Sequence, residues 1–166
     1  ATAYRFRLTE GANTSVITNP TRAINIAMLT GHKANTTYGV AVAAQVNGEW
    51  GAYGAVCNLT TPGVPTKVQA SQCGTTLPRL DKLVYADAIP FATQYRFRVI
   101  NGANVQTIDR TTNYFYLTQL PTYAYGTAYT IEAAVQYGGV WQPYDAVCNV
   151  TTPVAGTVVT ALLPAS

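Results

Sequence analysis

Apolar and polar residues along this chain change places mostly with a period of two. Tyr129, Ile131, Ala133 and Val135 alternate with Thr130, Glu132, Ala134 and Gln136, which is the pattern of a strand with one buried face. Tyr4 and Phe6 alternate with Arg5 and Arg7, and Tyr95 and Phe97 with Arg96 and Arg98. Each long run leads into a turn signal, Asn47-Gly48 or Gly138-Gly139, then a second run. Such pairs mark hairpins because both turn residues must accept positive φ. In the second half the pattern predicts strands over 66–70, 82–89, 94–100, 104–108 and 113–120, with the hairpin supplying the last two. Seven short strands separated by turn signals predict a β-sandwich with almost no helix.

The chain repeats itself. Shifted by 91 residues, 1–62 aligns with 92–153 without a gap. Tyr4-Arg5-Phe6-Arg7 falls on Tyr95-Arg96-Phe97-Arg98, Tyr38 on Tyr129, Trp50 on Trp141, and Ala55-Val56-Cys57-Asn58 on Ala146-Val147-Cys148-Asn149. The repeat is the main organising signal. It divides the chain into 1–62, the later two-thirds of one module, then 63–153, a complete module, and a tail of 154–166 that resembles a following first strand. In the tail Thr157, Val159 and Ala161 match Thr66, Val68 and Ala70. The first copy has no counterpart of 64–91, so Tyr4, Phe6, Tyr38, Val40 and Val42 are expected to form an exposed apolar surface. Two expectations follow. Either the residues belong to a longer array, or the tail of one chain adds a strand to the first module of the next and builds a filament.

Leu120, the run Gly126-Thr127-Ala128-Tyr129 with the strand after it, and the closing Val150-Thr151-Thr152-Pro153 resemble the fibronectin type III family over the whole 91-residue unit. The resemblance implies tandem all-β, immunoglobulin-like sandwich modules, the first without its N-terminal strands. It also implies that Tyr129 is a tyrosine-corner residue, its hydroxyl bonded to the backbone of the preceding loop. More narrowly, Cys73-Gly74-Thr75-Thr76-Leu77, Tyr95-Arg96-Phe97-Arg98, Val105-Gln106-Thr107-Ile108 and the stretch from Cys148 to Pro153 are similar to tandem repeats of Bacteroidetes-type secreted and surface proteins, several of them type IX secretion cargo. The usual second-strand tryptophan of fibronectin type III modules is absent, with Val84 or Tyr85 nearest its place. In that fold the first and last strands lie side by side. A Cys73–Cys148 disulfide is therefore expected, with Cys57 buried and unpaired.

Composition narrows the function. Of 166 residues only 10% are charged, and the net charge of +3 comes from scattered Arg and Lys with no basic run, which argues against nucleic acid. No stretch reaches the roughly 20 apolar residues of a membrane span, and no signal peptide is evident. Three cysteines without C-x-x-C spacing and one histidine, His32, are too few for a zinc site, so neither cofactor nor metal is expected. The low charge and high threonine content fit an extracellular or cell-surface protein. The seven carboxylates propose no pair held for acid–base work, and His32 sits in a loop without a nucleophile motif. The chain therefore reads as a non-enzymatic structural or adhesive repeat, a spacer, stalk or filament subunit whose partners are neighbouring modules or its own copies. The alternative is a glycan-binding module, or an accessory module of a polysaccharide-degrading enzyme.

The candidate contact residues lie on the outward face of the strands. A two-residue turn at Asn47-Gly48 sets Trp50 opposite Gln45, which belongs to the outward set. Trp50 and Trp141 are thus expected to face solvent, with Tyr53 and Tyr144 nearby, as platforms for a surface glycan or a neighbouring module. A one-residue bulge near Pro143 would reverse the face and bury the ring. Arg5 and Arg7 point the same way, and Glu132 stands ready to pair with Arg96 or Arg98. Ala41 replaces that carboxylate in the first copy, which leaves Arg5 and Arg7 as candidates for an anionic ligand. The Asn-x-Ser/Thr triplets at Asn13, Asn35, Asn58 and Asn149 carry no message in a bacterial protein.

Overall fold

Alternation becomes strand wherever two runs meet across a turn that tolerates left-handed backbone. β1 (Ala3–Glu10) and β2 (Asn13–Asn19) pair antiparallel around Gly11 at φ 55°, with Glu10 opposite Asn13. β3 (Thr37–Val46) turns into β4 (Glu49–Trp50) through Asn47 at φ 51° and Gly48 at φ 83°, the geometry that Asn-Gly favours. The computed structural model describes residues 1–156 and is all-β. It divides into two units, one of Ala1–Pro65 with Gln136–Pro143, the other of 66–135 with the described residues from Tyr144 onward.

The first unit carries a sheet in the order β2-β1-β3-β4, with β5 (Cys57–Thr60) also pairing β3. Phe6, Leu8, Leu29 and Tyr38 form its core, with Tyr4, Ile17, Ile24, Ile26 and Val40 packed against them. The apolar surface expected here is corrected in part. Phe6 and Tyr38 are buried, and Tyr4 and Val40 half-buried, because the connection from β2 to β3 folds over them through a 3-10 turn at Ile26–Met28. Val42, at 37% exposure, and Leu59, at 49%, lie beyond its reach.

A larger sheet is built from β6 (Thr75–Thr76), β8 (Gln94–Asn101), β9 (Asn104–Arg110), β11 (Ala128–Tyr137), β12 (Val140–Trp141) and β13 (Cys148–Thr151). It runs in the order β6-β13-β11-β8-β9, with β12 also pairing β11, and apart from 136–143 its residues belong to the second unit. A second layer is formed by β7 (Val84–Tyr85) and β10 (Tyr114–Phe115), extended by a bridge between Val68 and Ala86. Val68, Val84, Ala86 and Phe115 from this layer enclose a core with Phe97, Val99, Ile131, Ala133 and Val150, and the rings of Phe97 and Phe115 lie 4.6 Å apart. Each large apolar side chain buried this way contributes roughly 1.5–3 kcal/mol.

Three expected strands are shorter than their patterns. The run at 66–70 makes one bridge and enters a 3-10 turn at Ala70–Gln72, after which Gly74 at φ 75° redirects the chain so that β6 runs parallel to β13. The run at 82–89 contracts to β7, partly because the Gln72 side chain takes up the Tyr85 N–H at 2.7 Å and the Leu83 carbonyl at 2.8 Å. The run at 113–120 gives β10 and then a 3-10 turn at Leu117–Gln119, where Gln119 Oε1 accepts the Tyr116 N–H at 3.1 Å.

The Cys73–Cys148 bridge is present, with Cα atoms 5.0 Å apart across 75 residues of sequence. The tyrosine corner occurs twice. Tyr129 Oη accepts the Ala124 N–H and Tyr38 Oη the Lys33 N–H, both at 2.9 Å. A threonine completes each corner: Thr152 Oγ1 donates to the Ala124 carbonyl and Thr61 Oγ1 to the Lys33 carbonyl, both at 2.7 Å.

Candidate binding face

Arginine, aromatic and carboxylate side chains gather on the outward faces of the two long hairpins. Gln45 pairs with Trp50, and Gln136 with Trp141, so both hairpins keep the register that a two-residue turn sets, and no bulge reverses the face. Each tryptophan is half-buried, not freely exposed. In the first unit the Arg5 guanidinium carbon lies 4.1 Å from the Trp50 ring centre, and that of Arg7 lies 4.3 Å from Tyr53. In the second, Arg98 stacks on Tyr144 at 4.1 Å. Stacks of this kind contribute about 0.5–1 kcal/mol at exposed sites. In the first unit they lie beside Ala41 and Ala43, cross-strand neighbours of Arg7 and Arg5, which are buried although they point away from the core.

The two faces differ in their counter-charges. Asp109, opposite Arg96 in the β8–β9 hairpin, accepts a two-pronged contact at 2.7 and 2.8 Å, and Arg98 pairs with Glu132. The hydrogen bond from Arg96 holds the Asp109 carboxyl below its usual range, against the opposing effect of burial, and Asp109 in turn raises Arg96. Burial pushes the Tyr144 phenol up, against the pull of Arg96 and Arg98. At the matching places the first unit has Thr18 and Ala41. Among the described residues neither Arg5 nor Arg7 pairs with a carboxylate. The first unit's own ion pair, Lys33 with Glu10 at 2.7 Å, involves neither of these arginines, and its hydrogen bond raises the Lys33 ammonium.

The pairing of Glu132 is legible in the alternation, whereas that of Asp109 comes from the partner strand of the β8–β9 hairpin. A usable signal existed: Arg96 and Asp109 are equidistant from the turn at Gly102-Ala103, which puts them directly opposite in a two-residue hairpin. Cys57 requires a correction. It is unpaired, as expected, but exposed, because β5 pairs only with β3 among the described residues and nothing there corresponds to β6. His32 is exposed in its loop, its Nδ1 at 3.1 Å from the Leu29 carbonyl. An open groove of about 580 Å³ in the second unit, between Tyr123, Tyr125 and the Arg79–Asp81 ion pair, was not foreseen. No helix is long and apolar enough to cross a membrane among the described residues.

No family model and no curated protein matches the sequence. Among solved structures, the chain is similar to the FN1–FN3 domains of chicken CNTN1, with 13% identity over 91% of this chain and 56% of that one, at a TM-score of 0.40. It is also similar to the chicken interferon gamma receptor alpha chain, with 10% identity over 93% of this chain and 87% of that one, at a TM-score of 0.44. The chain thus spans little more than half of the CNTN1 fragment.

Proposed function

We propose that this chain is a non-catalytic structural stretch of an extracellular or cell-surface protein, a spacer or stalk of fibronectin type III-like modules. One observation carries the reading: a single design is written twice, with the same tyrosine–threonine corner, hairpin turn and stacked arginines, as in a protein whose length comes from repetition. The Cys73–Cys148 bridge supports an oxidising location, where such bonds persist. The similarity of its wording to Bacteroidetes-type surface repeats supports export by type IX secretion. Exposed Val42 and Leu59, beside a β5 that pairs on one side only, support contact with a neighbouring module or copy. The tail residues Thr157, Val159 and Ala161, which the filament variant of this reading requires, lie outside the described residues.

A neutral glycan laid flat on Trp50, Tyr53 or Tyr144 would first have to displace a guanidinium stacked there, which disfavours that rival. The spacer reading is tested by small-angle scattering on one, two and three fused copies of the chain. The longest dimension should grow by a constant step per copy, and collapse into a particle that does not lengthen would count against it.

A further inference from the structure

We propose that the outward face of the first unit, at Arg5 and Arg7, binds an acidic polysaccharide, and that the second unit shows the binding geometry with its own carboxylates. The two copies hold the same scaffold. In both, a guanidinium at the second stacking position lies over a tyrosine ring, Arg7 on Tyr53 and Arg98 on Tyr144. Stacking occupies the flat face of a guanidinium and leaves the N–H groups at its edge to meet an anion. In the second unit those edges are taken: Arg96 by Asp109 from β9, Arg98 by Glu132 from β11. In the first unit the residues opposite Arg5 on β2 and opposite Arg7 on β3 are Thr18 and Ala41, which supply no carboxylate. Among the described residues neither Arg5 nor Arg7 donates a side-chain hydrogen bond. Two oriented, half-buried cations therefore stand where the sister copy seats two anions, and Ala41, in the place of Glu132, supplies no carboxylate to the one beside it.

The spacing selects the ligand class. Arg5 and Arg7 are two residues apart on one strand, so their anchor points lie about 6.6–6.8 Å apart. A ligand that satisfies both needs at least two anionic groups along an extended, flat backbone, as a uronate or sulfate-ester polysaccharide provides. Thr18, exposed beside Arg5, offers a hydroxyl to sugar oxygens. A nucleic acid fits less well, because the strands beside β1 place no further cation on this face, and phosphate tracking needs several. The proposal is independent of the spacer reading, since a stalk and a plain module bind alike through this face.

The test titrates the whole chain at low salt with polygalacturonate, dextran sulfate, neutral dextran and polyglutamate, following heat and tryptophan fluorescence, with a Trp141→Phe chain to isolate the signal of Trp50. Saturable binding to either acidic polysaccharide, weaker in higher salt and absent for neutral dextran, is expected; which of the two binds tells carboxylate from sulfate. The decisive variant is Thr18→Asp with Ala41→Glu, which copies the second unit's counter-charges and leaves both arginines in place. It should weaken binding about tenfold or more, as losing charge-assisted hydrogen bonds does. Arg5→Gln with Arg7→Gln should do the same, and circular dichroism checks that each variant is folded. Wild-type affinity in the Thr18→Asp/Ala41→Glu chain, equal binding of polyglutamate, or no binding of either acidic polysaccharide would overturn the proposal.

Discussion

Removing the Cys73–Cys148 bridge is the sharpest perturbation of the fold, because one unit has it and the other does not. The closed loop spans a sequence separation of 75. The chain-entropy relation then assigns the bridge about 4 kcal/mol of stabilisation through the unfolded state. For a unit of this size a change of 1 kcal/mol moves the midpoint by about 4–8 °C, so Cys73→Ser with Cys148→Ser should lower the second unit's melting by roughly 15–30 °C. Hydrogen exchange reads the two units separately. Protection should fall in β8, β11 and β13, whose side chains share the core with Cys148, while β1 and β3 keep theirs, since Cys57 makes no bridge. A change under about 1 kcal/mol, far below what loop closure predicts, or equal loss of protection in β1 and β11, would falsify the reasoning.

Other outcomes follow from single contacts. Asp109 is held below its unfolded pKa by Arg96, so the stabilisation is complete above about pH 4 and lost as pH falls through the lower, folded value. Asp109→Asn should remove that part of the acid limb in urea midpoints, a modest ~0.2–1 kcal/mol for a half-exposed pair. Tyr129→Phe strands the Ala124 N–H and should cost about 1–2 kcal/mol in urea unfolding, and Tyr38→Phe should do the same to the first unit through Lys33. Leu59→Thr, at an exposed position, should change stability by less than about 0.5 kcal/mol, whereas Val150→Thr at the matching buried position should cost about 1–3 kcal/mol. Equal costs at these two positions would refute the difference in burial.

Local physics carried the legible part of the fold. Alternation and Asn-Gly fixed β3, β4 and the face of Trp50, because strand period and turn chirality are decided within a dozen residues. The tyrosine corner was readable from the resemblance, and the disulfide from the fold that the resemblance implied. What escaped depends on side chains returning from elsewhere. Gln72 reaching across to Tyr85 shortens a strand that its own sequence favours, and Leu29 with Ile26 covers a face that alternation alone leaves bare. The stacks of Arg5 on Trp50 and Arg7 on Tyr53 join residues over 40 positions apart, and no spacing rule proposes them.

The two copies also separate what a strand's own residues decide from what its surroundings decide. Cys57-Asn58-Leu59-Thr60 and Cys148-Asn149-Val150-Thr151 are nearly one sequence and pair in the same register with equivalent strands, Val40 opposite Cys57 and Ile131 opposite Cys148. Yet Cys57 is an exposed thiol and Leu59 is 49% exposed, while Cys148 is bridged and Val150 is fully buried. The difference comes from 66–86: β6 pairs with the far edge of β13, Cys73 bonds to it, and Val68 and Val84 close over its inner face. The strand sequence therefore sets pairing and register, whereas burial and oxidation state are conferred by the segment that docks beside it. Substitutions in β5 and β13 will differ in consequence even where the residues are identical, and Asn58→Ala against Asn149→Ala shows this at a matched exposed pair. Asn149→Ala removes the bond that Thr130 Oγ1 donates to Asn149 Oδ1 at 2.9 Å, where the first copy has Gly39, while the Gly74 N–H keeps its bond to the residue-149 carbonyl at 2.7 Å, so a larger but modest loss of protection is expected at 149 than at 58.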